Sequence, residues 1–397
     1  MSKTQLNSLN ERPYQQCMRC LMDTTAAEIT FDDDGICNFC SEFLERSSHI
    51  IHEDEQAKEK RLERFVQTVK KAGEGKTYDC VVGVSGGVDS SWTLAEAKRL
   101  GLRPLAVHMD NGWNSELAQN NIANLVKCLG LDLYTHVIDW EEYRALMQAF
   151  FDADVIDVEL LYDNAMLAVC YQQARKYGIK HILSGSNQAT EGMQMPKAWN
   201  WYKRDVRNIK ALAKRFGSVR IKTFPTHSTL DYILDEFIRG IYWVSFLDYL
   251  PFNKFEALDV LERDYGYKRY PFKHYESIFT RFYQGYILPR KFGVDKRLLH
   301  LATLVASGQI EREEALVGLA GIPYPSQQDL EGDIDYFLKK IGWSREELEL
   351  YMMRQEVPHS RYSSEKAFWE LIVRTGRWLL RSRFSFVISF IFSRRIF

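Results

Sequence analysis

Long apolar runs are missing from this sequence. The most apolar stretch, Phe384 to Phe392, is nine residues interrupted by Ser385 and Ser389, against the ~20 a spanning helix requires. No membrane crossing is therefore expected. Also missing is a leader: the opening MSKTQLNSLNERPYQQ is polar, with no apolar core and small-residue cleavage site, so the expected compartment is the cytoplasm. Charge of one sign is lacking too. Fifty-two Lys+Arg stand against 53 Asp+Glu, a formal charge of -1, which removes the global electrostatic case for a dedicated nucleic-acid binder. There is no internal repeat and no low-complexity linker. Cysteine is sparse and odd in number, seven in all, a usage that points to an intracellular protein rather than a secreted disulfide scaffold.

What is present is an ordinary globular balance, 46% apolar and 26% charged over 397 residues. At roughly 150 residues per domain this length predicts two or three domains and at least one sizeable core. Periodicity and punctuation divide the chain into residues 14–45, which hold paired cysteines, a linker helix at 53–76, an alternating region at 77–250, a helical region at 251–356 and a basic, aromatic tail at 357–397. In the alternating region the candidate strands are Asp79–Val84, Leu105–Met109, Leu133–Ile138, His181–Ser184 and Val219–Phe224, with helices near 90–100, 115–129 and 161–177 between the first four. Such alternation predicts an α/β fold, a parallel sheet wound with crossover helices, whose ligands bind beyond the carboxyl ends of the strands. After Thr226 the pattern is expected to be helical throughout.

Cys17, Cys20, Cys37 and Cys40 form C-x2-C-x16-C-x2-C, the spacing of two zinc knuckles that present four thiolates tetrahedrally. Four protein ligands close the shell, so a structural Zn²⁺ is expected. His49 and His52 lie nearby but read as surface residues.

The strongest chemical signal is VVGVSGGVDSS, Val81 to Ser91, an apolar strand running through a glycine turn into a helix. Glycines permit positive φ and close backbone approach, and the exposed amides at the new helix N-terminus make a cradle for phosphate oxygens. The loop is neither a Walker A sequence, whose Lys is missing, nor G-x-G-x-x-G. At these residues the chain resembles the PP-loop ATP pyrophosphatases, whose S-G-G-x-D-S loop holds the pyrophosphate end of ATP. The resemblance implies that Ser85, Gly86, Gly87, Asp89 and Ser90 bind pyrophosphate and that Asp89 helps hold Mg²⁺. It also places adenine and ribose near Asp110, at the end of the second strand. Ser184-Gly185-Ser186-Asn187 closes the fourth strand on the same sheet edge, and Gly185, Asn187 and Glu191 are candidates there for nucleotide, Mg²⁺ or acceptor.

The combination of the cysteine pairs, SGGVDSS, SGSNQATEG, NWYKRDxxNIK and RKFGVDKRLLH resembles the N-acetyl sugar amidotransferases of lipopolysaccharide O-antigen and surface-glycan synthesis, over about residues 15–355. The resemblance implies that ATP adenylates an acetamido oxygen of a nucleotide-activated sugar and that ammonia then displaces AMP to give an acetamidino group. A carboxyl acceptor giving a carboxamide is a second outcome that the sequence does not separate. Related amidating enzymes carry a Lys after the sheet domain that contacts pyrophosphate, which makes Lys291 the first candidate and Lys296 and Arg297 the second. Trp199, Trp201 and Tyr202, followed by Lys203 and Arg204, offer flat faces for a sugar or uracil ring and cations for a diphosphate.

A glutaminase nucleophile is missing. The only G-x-C, Gly35-Ile36-Cys37, is committed to the metal, and the chain as written opens Met1-Ser2. Ammonia is therefore expected from solution or a partner, and the family resemblance favours a glutaminase with an ammonia-channel subunit. The alternative is a zinc-ribbon PP-loop tRNA thiolase, which would want reactive thiols among Cys80, Cys128 and Cys170 and a basic surface. The tail from about Phe368 carries Arg374, Arg377, Arg381, Arg383, Arg394 and Arg395 among aromatics. This composition suits peripheral contact with an anionic membrane at its inner face, and equally docking on the chain's own helices or a second subunit.

Overall fold

The computed structural model describes residues 13–271 and 273–381, excluding the side chains of 376–381. In chain order the elements are α1 (Asn38–Ile51), α2 (Glu55–Ala72), β1 (Cys80–Gly83), α3 (Val88–Arg99), β2 (Pro104–Asp110), α4 (Glu116–Leu129), β3 (Leu133–Val137), α5 (Trp140–Asp152), α6 (Leu160–Lys176), β4 (His181–Ser184), α7 (Gln188–Glu191), α8 (Val206–Phe216), α9 (Thr229–Ile233) and β5 (Tyr242–Ser245). There follow α10 (Lys254–Tyr265), α11 (Ile278–Phe282), α12 (Lys296–Ala306), α13 (Arg312–Leu319), α14 (Gln327–Ile341), α15 (Arg345–Met353) and α16 (Lys366–Arg381). No described helix is long and apolar enough to cross a membrane.

All five strands are parallel, in the order β3-β2-β1-β4-β5. The period-two alternation of β1 sends Val81 to one face and Cys80, Val82 and Val84 to the other. Strands β2 and β4 divide likewise: Leu105, Val107 and Ile182 join Val169 and Cys170 of α6, while Ala106 and Leu183 join Leu94 of α3 and Leu261 of α10. Helices therefore cover both faces, as apolar parallel strands require. The chain leaves β1 toward β2 and β3 and later returns on the opposite side of β1 as β4. That reversal opens a crevice at the carboxyl ends of β1 and β4.

The fifth strand is not where the sequence places it. Residues 219–224 form no strand, because the amides of Lys222 (2.8 Å), Thr223 (2.9 Å) and Phe224 (3.0 Å) all donate to the Glu142 carboxylate on α5. The fifth strand is β5, beyond Thr226, so the sheet continues into the region expected to be helical. The cysteine segment and α1 share the larger apolar cluster with the main body rather than forming a core of their own. The start of the expected tail also packs inward. His359 is buried against Trp201, and Glu365 accepts from the Thr229 amide at 2.9 Å. The tail beyond Arg381 lies outside the described residues.

Candidate functional site

A cavity of about 960 Å³ opens at the carboxyl edge of the sheet, lined by the β1–α3 loop, the β4–α7 turn and residues from α6, α10 and α12. The loop's shape is enforced by glycine. Gly86 has φ +84°, and a Cβ there would come within 2.9 Å of the Ala118 carbonyl oxygen. A Cβ on Gly185 would meet the Asp89 carbonyl carbon at 2.7 Å and the Ser90 nitrogen at 2.8 Å, so the β4 turn crosses directly over the start of α3. Ser90 Oγ accepts from the Ser85 amide (3.2 Å) and donates to the Gly87 carbonyl (3.1 Å), and Tyr270 donates to the Gly86 carbonyl (3.1 Å). The cradle is thus braced before any ligand arrives.

Asp89 sits in the first turn of α3, its Oδ1 buried with no hydrogen-bond partner among the described residues. Burial, then the Glu191 carboxylate, push its pKa up to about 6, against the opposing pull of Lys273 and Lys254. Burial also acts against ionised Glu191, but the Lys273 ammonium at 2.9 Å holds that carboxyl below its ordinary value. Lys254 is depressed by burial, then by Lys273. A carboxylate that is buried, repelled by a second carboxylate and lacking a donor suits a hard cation, and the backbone cradle beside it suits phosphate. These residues therefore fit Mg²⁺ and a polyphosphate.

A chain of side chains continues from Lys273. Its Nζ lies 3.2 Å from His300 Nδ1, His300 Nε2 is 3.3 Å from His274 Nε2, and His274 Nδ1 is 3.6 Å from Glu276 Oε1. An ammonium can only donate, so His300 Nδ1 accepts and its Nε2 carries the proton toward His274, whose Nδ1–H then faces Glu276. Burial, then Lys273, hold His300 neutral, well below its ordinary pKa. His274 adopts φ +67°, a strained conformation for a non-glycine residue. A second group of lining residues is paired internally. Lys296 holds Glu159 at 2.6 Å, and Lys203 holds Asp157 at 2.7 Å and Asp163 at 2.9 Å.

Of the residues singled out from sequence, Ser85, Gly87, Asp89, Ser90, Gly185, Glu191, Lys203, Arg204 and Lys296 line this cavity, with Gly86 behind the loop. The others are placed elsewhere. Lys291 has a fully buried side chain, its ammonium bound to Asp154 (3.0 Å) and to the carbonyls of Tyr351 (2.6 Å) and Arg354 (2.7 Å). Arg297 pairs with Asp295 at 2.7 Å, and Asp110 closes a turn through the Gly112 amide at 2.8 Å. Asn187 caps α7 and donates to the Gly185 carbonyl at 3.0 Å, bracing the turn from behind. Trp199 is buried, Trp201 stacks on His359, and Tyr202 stacks on Trp369. These rings pack the protein and do not line the cavity. Sequence reasoning missed Lys254, Lys273, His274, Glu276 and His300. The compact K-H-Y-E of 273–276 was the available signal, but nothing local ties it to a loop nearly two hundred residues earlier.

The four cysteine sulfurs lie within 4.8 Å of one another, with 3.9 Å between Cys17 and Cys40 and 3.7 Å between Cys20 and Cys37. A tetrahedron with ~2.3 Å zinc–sulfur arms has edges of about 3.8 Å, so the cluster is compatible with zinc. Amides of Cys20, Met22 and Cys37 point at the sulfurs at 3.4, 3.4 and 3.2 Å, as expected around thiolate ligands.

A parallel sheet in this order, with S-G-G-x-D-S at its switch point, defines an α/β protein of the PP-loop type. Residues 276–375 match the family model described as LPS biosynthesis protein WbpG-like, C-terminal domain, which fits the amidotransferase resemblance. No curated protein matches the chain. Among solved structures, the NMN synthetase from Francisella tularensis is similar at 14% identity over 55% of this chain and 98% of that one, TM-score 0.28. The NH3-dependent NAD synthetase from Campylobacter jejuni subsp. jejuni NCTC 11168, in complex with the nitrate ion, is similar at 17% identity over 53% and 93%, TM-score 0.28. At that degree of superposition neither carries an argument about function.

Proposed function

We propose that this chain is an ATP-dependent, AMP-forming amidotransferase that converts an acetamido group of a nucleotide-activated sugar to an acetamidino group, for lipopolysaccharide or other surface-glycan synthesis. The observation that carries this reading is the braced S-G-G-x-D-S cradle with its unpartnered Asp89. The WbpG-like match supports the pathway class. In this reading the acetamido oxygen attacks the α-phosphorus of ATP, and pyrophosphate leaves. Ammonia then adds to the acetamido carbon, and AMP leaves carrying the former acetamido oxygen.

The amides of the β1–α3 loop bind the phosphates, and Asp89 and Glu191 would hold Mg²⁺. That ion, when bound, supplies positive charge to the phosphate oxygens. Lys254 and Lys273 face the charge that accumulates on departing pyrophosphate, the class of electrostatic stabilisation that dominates such transfers. The His300–His274–Glu276 chain fixes the tautomer of each imidazole beside the loop. Ammonia comes from a partner glutaminase and ammonia-channel subunit. A tRNA thiolase fits less well: burial raises the thiols of Cys80 and Cys170 well above the reactive range, and Cys128 is exposed on α4.

The test is mass spectrometry of ATP, ammonium and a panel of UDP-diacetamido sugars and sugar acids. A product lighter by the difference between O and NH, formed together with AMP, is expected, and fragmentation locates the change. AMP release stimulated by tRNA with every sugar unchanged would transfer the assignment to the thiolase.

The two lysines separate by their placement. Lys273→Met leaves Glu191 uncompensated beside Asp89 and removes a phosphate-facing cation, so AMP formation is expected to fall about 100-fold or more. Lys291→Met instead removes one of the two cations on partly buried Asp154, which keeps Arg354 at 3.1 Å, and takes a donor from the Tyr351 and Arg354 carbonyls, costing about 1–3 kcal/mol of stability while the kcat of the folded fraction stays near wild type. Thermal denaturation and initial rates on both variants check this, and a selective kcat loss in Lys291→Met would place that residue back at the chemistry.

A further inference from the structure

The reaction just described accounts for the loop and the Lys273 chain, but not for a second group of cavity-lining side chains in which one cation stands out. Lys203 and Lys296 are each neutralised by carboxylates within 3 Å. Arg204 lines the same cavity and has no ion pair among the described residues. Its guanidinium carbon lies 4.2 Å from the centroid of the Tyr232 ring, a packing that occupies the guanidinium's face and leaves its N–H edge for a ligand. Arg204 Nε is buried with no hydrogen-bond partner among the described residues. The residue as a whole is only partly buried and lines the cavity, so its remaining N–H groups, paired with no carboxylate among the described residues, are the ones an incoming anion would meet.

The segment carrying Arg204 is held rigidly. Asn164, fully buried, donates to the carbonyls of Lys203 and His227, both at 2.9 Å. The Trp201 amide donates to Asp157 at 2.7 Å, and its indole N–H to Asp205 at 2.8 Å, while Asp205 caps α8 through the Asn208 amide at 3.0 Å. The aromatic residues that the sequence offered as ring-binding faces thus serve to fix the arginine beside them. A preorganised, permanently charged fork is the group that recognises phosphate oxygens in bidentate fashion. The cavity, at about 960 Å³, is at the upper end of the roughly 300–1,000 Å³ usual for small-molecule sites, enough for an acceptor beside a nucleotide. Asn200, also in the lining, adds an amide suited to sugar hydroxyls.

We propose that Arg204 anchors the acceptor by binding the diphosphate of a nucleotide-activated sugar, in a subsite built by residues other than those of the phosphate loop. This rests on the sugar-nucleotide reading above, and the experiment separates the two. UDP is titrated by calorimetry into the full-length protein, with and without saturating Mg²⁺ and α,β-methylene-ATP, whose α–β linkage is not cleaved. UDP should bind wild type in the presence of the analogue. R204M should weaken UDP at least about tenfold, as expected for loss of charge-assisted hydrogen bonds, and R204K should weaken it less, with affinity for the analogue unchanged in both. Displacement of UDP by the analogue, or wild-type UDP affinity in either variant, overturns the proposal. R204K, which keeps the charge, preserves the test if R204M does not fold. If the analogue fails to bind wild type, the ATP reading falls, while selective UDP loss in the Arg204 variants still upholds the subsite.

Discussion

Asp89→Asn is expected to abolish AMP formation while making the nucleotide-free protein more stable. The Asp89 carboxyl is pushed up to about 6 by burial and by Glu191, so ionising it works against folding. The sign follows from linkage: the unfolded carboxyl ionises near pH 4 and the folded one near 6, so the wild type loses stability across that interval and carries the full penalty above it. The neutral amide avoids the penalty, worth roughly 1–3 kcal/mol at pH 8, a Tm gain of a few degrees. At pH 4 the two proteins should melt alike. Mg²⁺ with ATP should raise the Tm of wild type and leave the variant unmoved, because the carboxylate whose repulsion the ligand relieves is gone. Differential scanning calorimetry from pH 4 to 8, with and without Mg²⁺-ATP, checks all of this. A variant that melts no higher than wild type at pH 8 would refute the account of a strained, ligand-awaiting carboxylate, and one that still forms AMP would remove Asp89 from the reaction.

If the cysteine cluster holds zinc, with which its geometry is compatible, removing that ion should cost more stability than losing any single side chain. Structural zinc in small modules contributes about 10–16 kcal/mol of apparent binding free energy at neutral pH, and residues 13–37 contain no described helix or extended strand to replace it. The consequence should reach the candidate active site. On α1, Ser47 donates to Gln188 at 2.7 Å and Arg46 bonds the Gly192 carbonyl, so the helix rooted at the cysteines holds both ends of the turn that carries Glu191. Arg312 on α13 secures the other side, donating to the carbonyls of Cys17 and Cys20, both at 3.3 Å. Metal analysis should find one zinc per chain. Cys37→Ser or a strong chelator should remove it, lower the Tm sharply, raise hydrogen exchange at 188–192 and reduce AMP formation. A metal-free wild type with full stability would sink the zinc assignment, and unchanged exchange at 188–192 would sink the link to Glu191.

The parts of this protein that were legible from sequence are those whose physics is local. Four strands and the glycine turn could be read because a short apolar run between helical stretches and a positive-φ glycine leave their mark within ten residues. The cysteine spacing could be read because two knuckles fix their own ligand geometry. Lys291 illustrates the opposite case. A lysine in a basic run after the sheet domain fits a pyrophosphate contact by analogy, yet a partly buried carboxylate, Asp154, takes its charge from more than a hundred residues away. Residues 219–224 illustrate it for the backbone, since their β-like sequence yields to three amides captured by Glu142. The Trp199–Tyr202 run is a third case, because an aromatic ring looks the same in sequence whether it meets a ligand or a histidine.

By itself the sequence determined the α/β class, the glycine turn after β1 and the cysteine cluster, because each is built from short local segments whose conformational needs are written in their own residue types. The tertiary structure alone decided which basic side chains gather around the cavity. Lys254, Lys273 and neutral His300 come from three separate parts of the chain, and Arg204 from a fourth, and whether a charge is spent on a neighbour or left facing the cavity depends on which carboxylates the fold brings within a few ångströms of it.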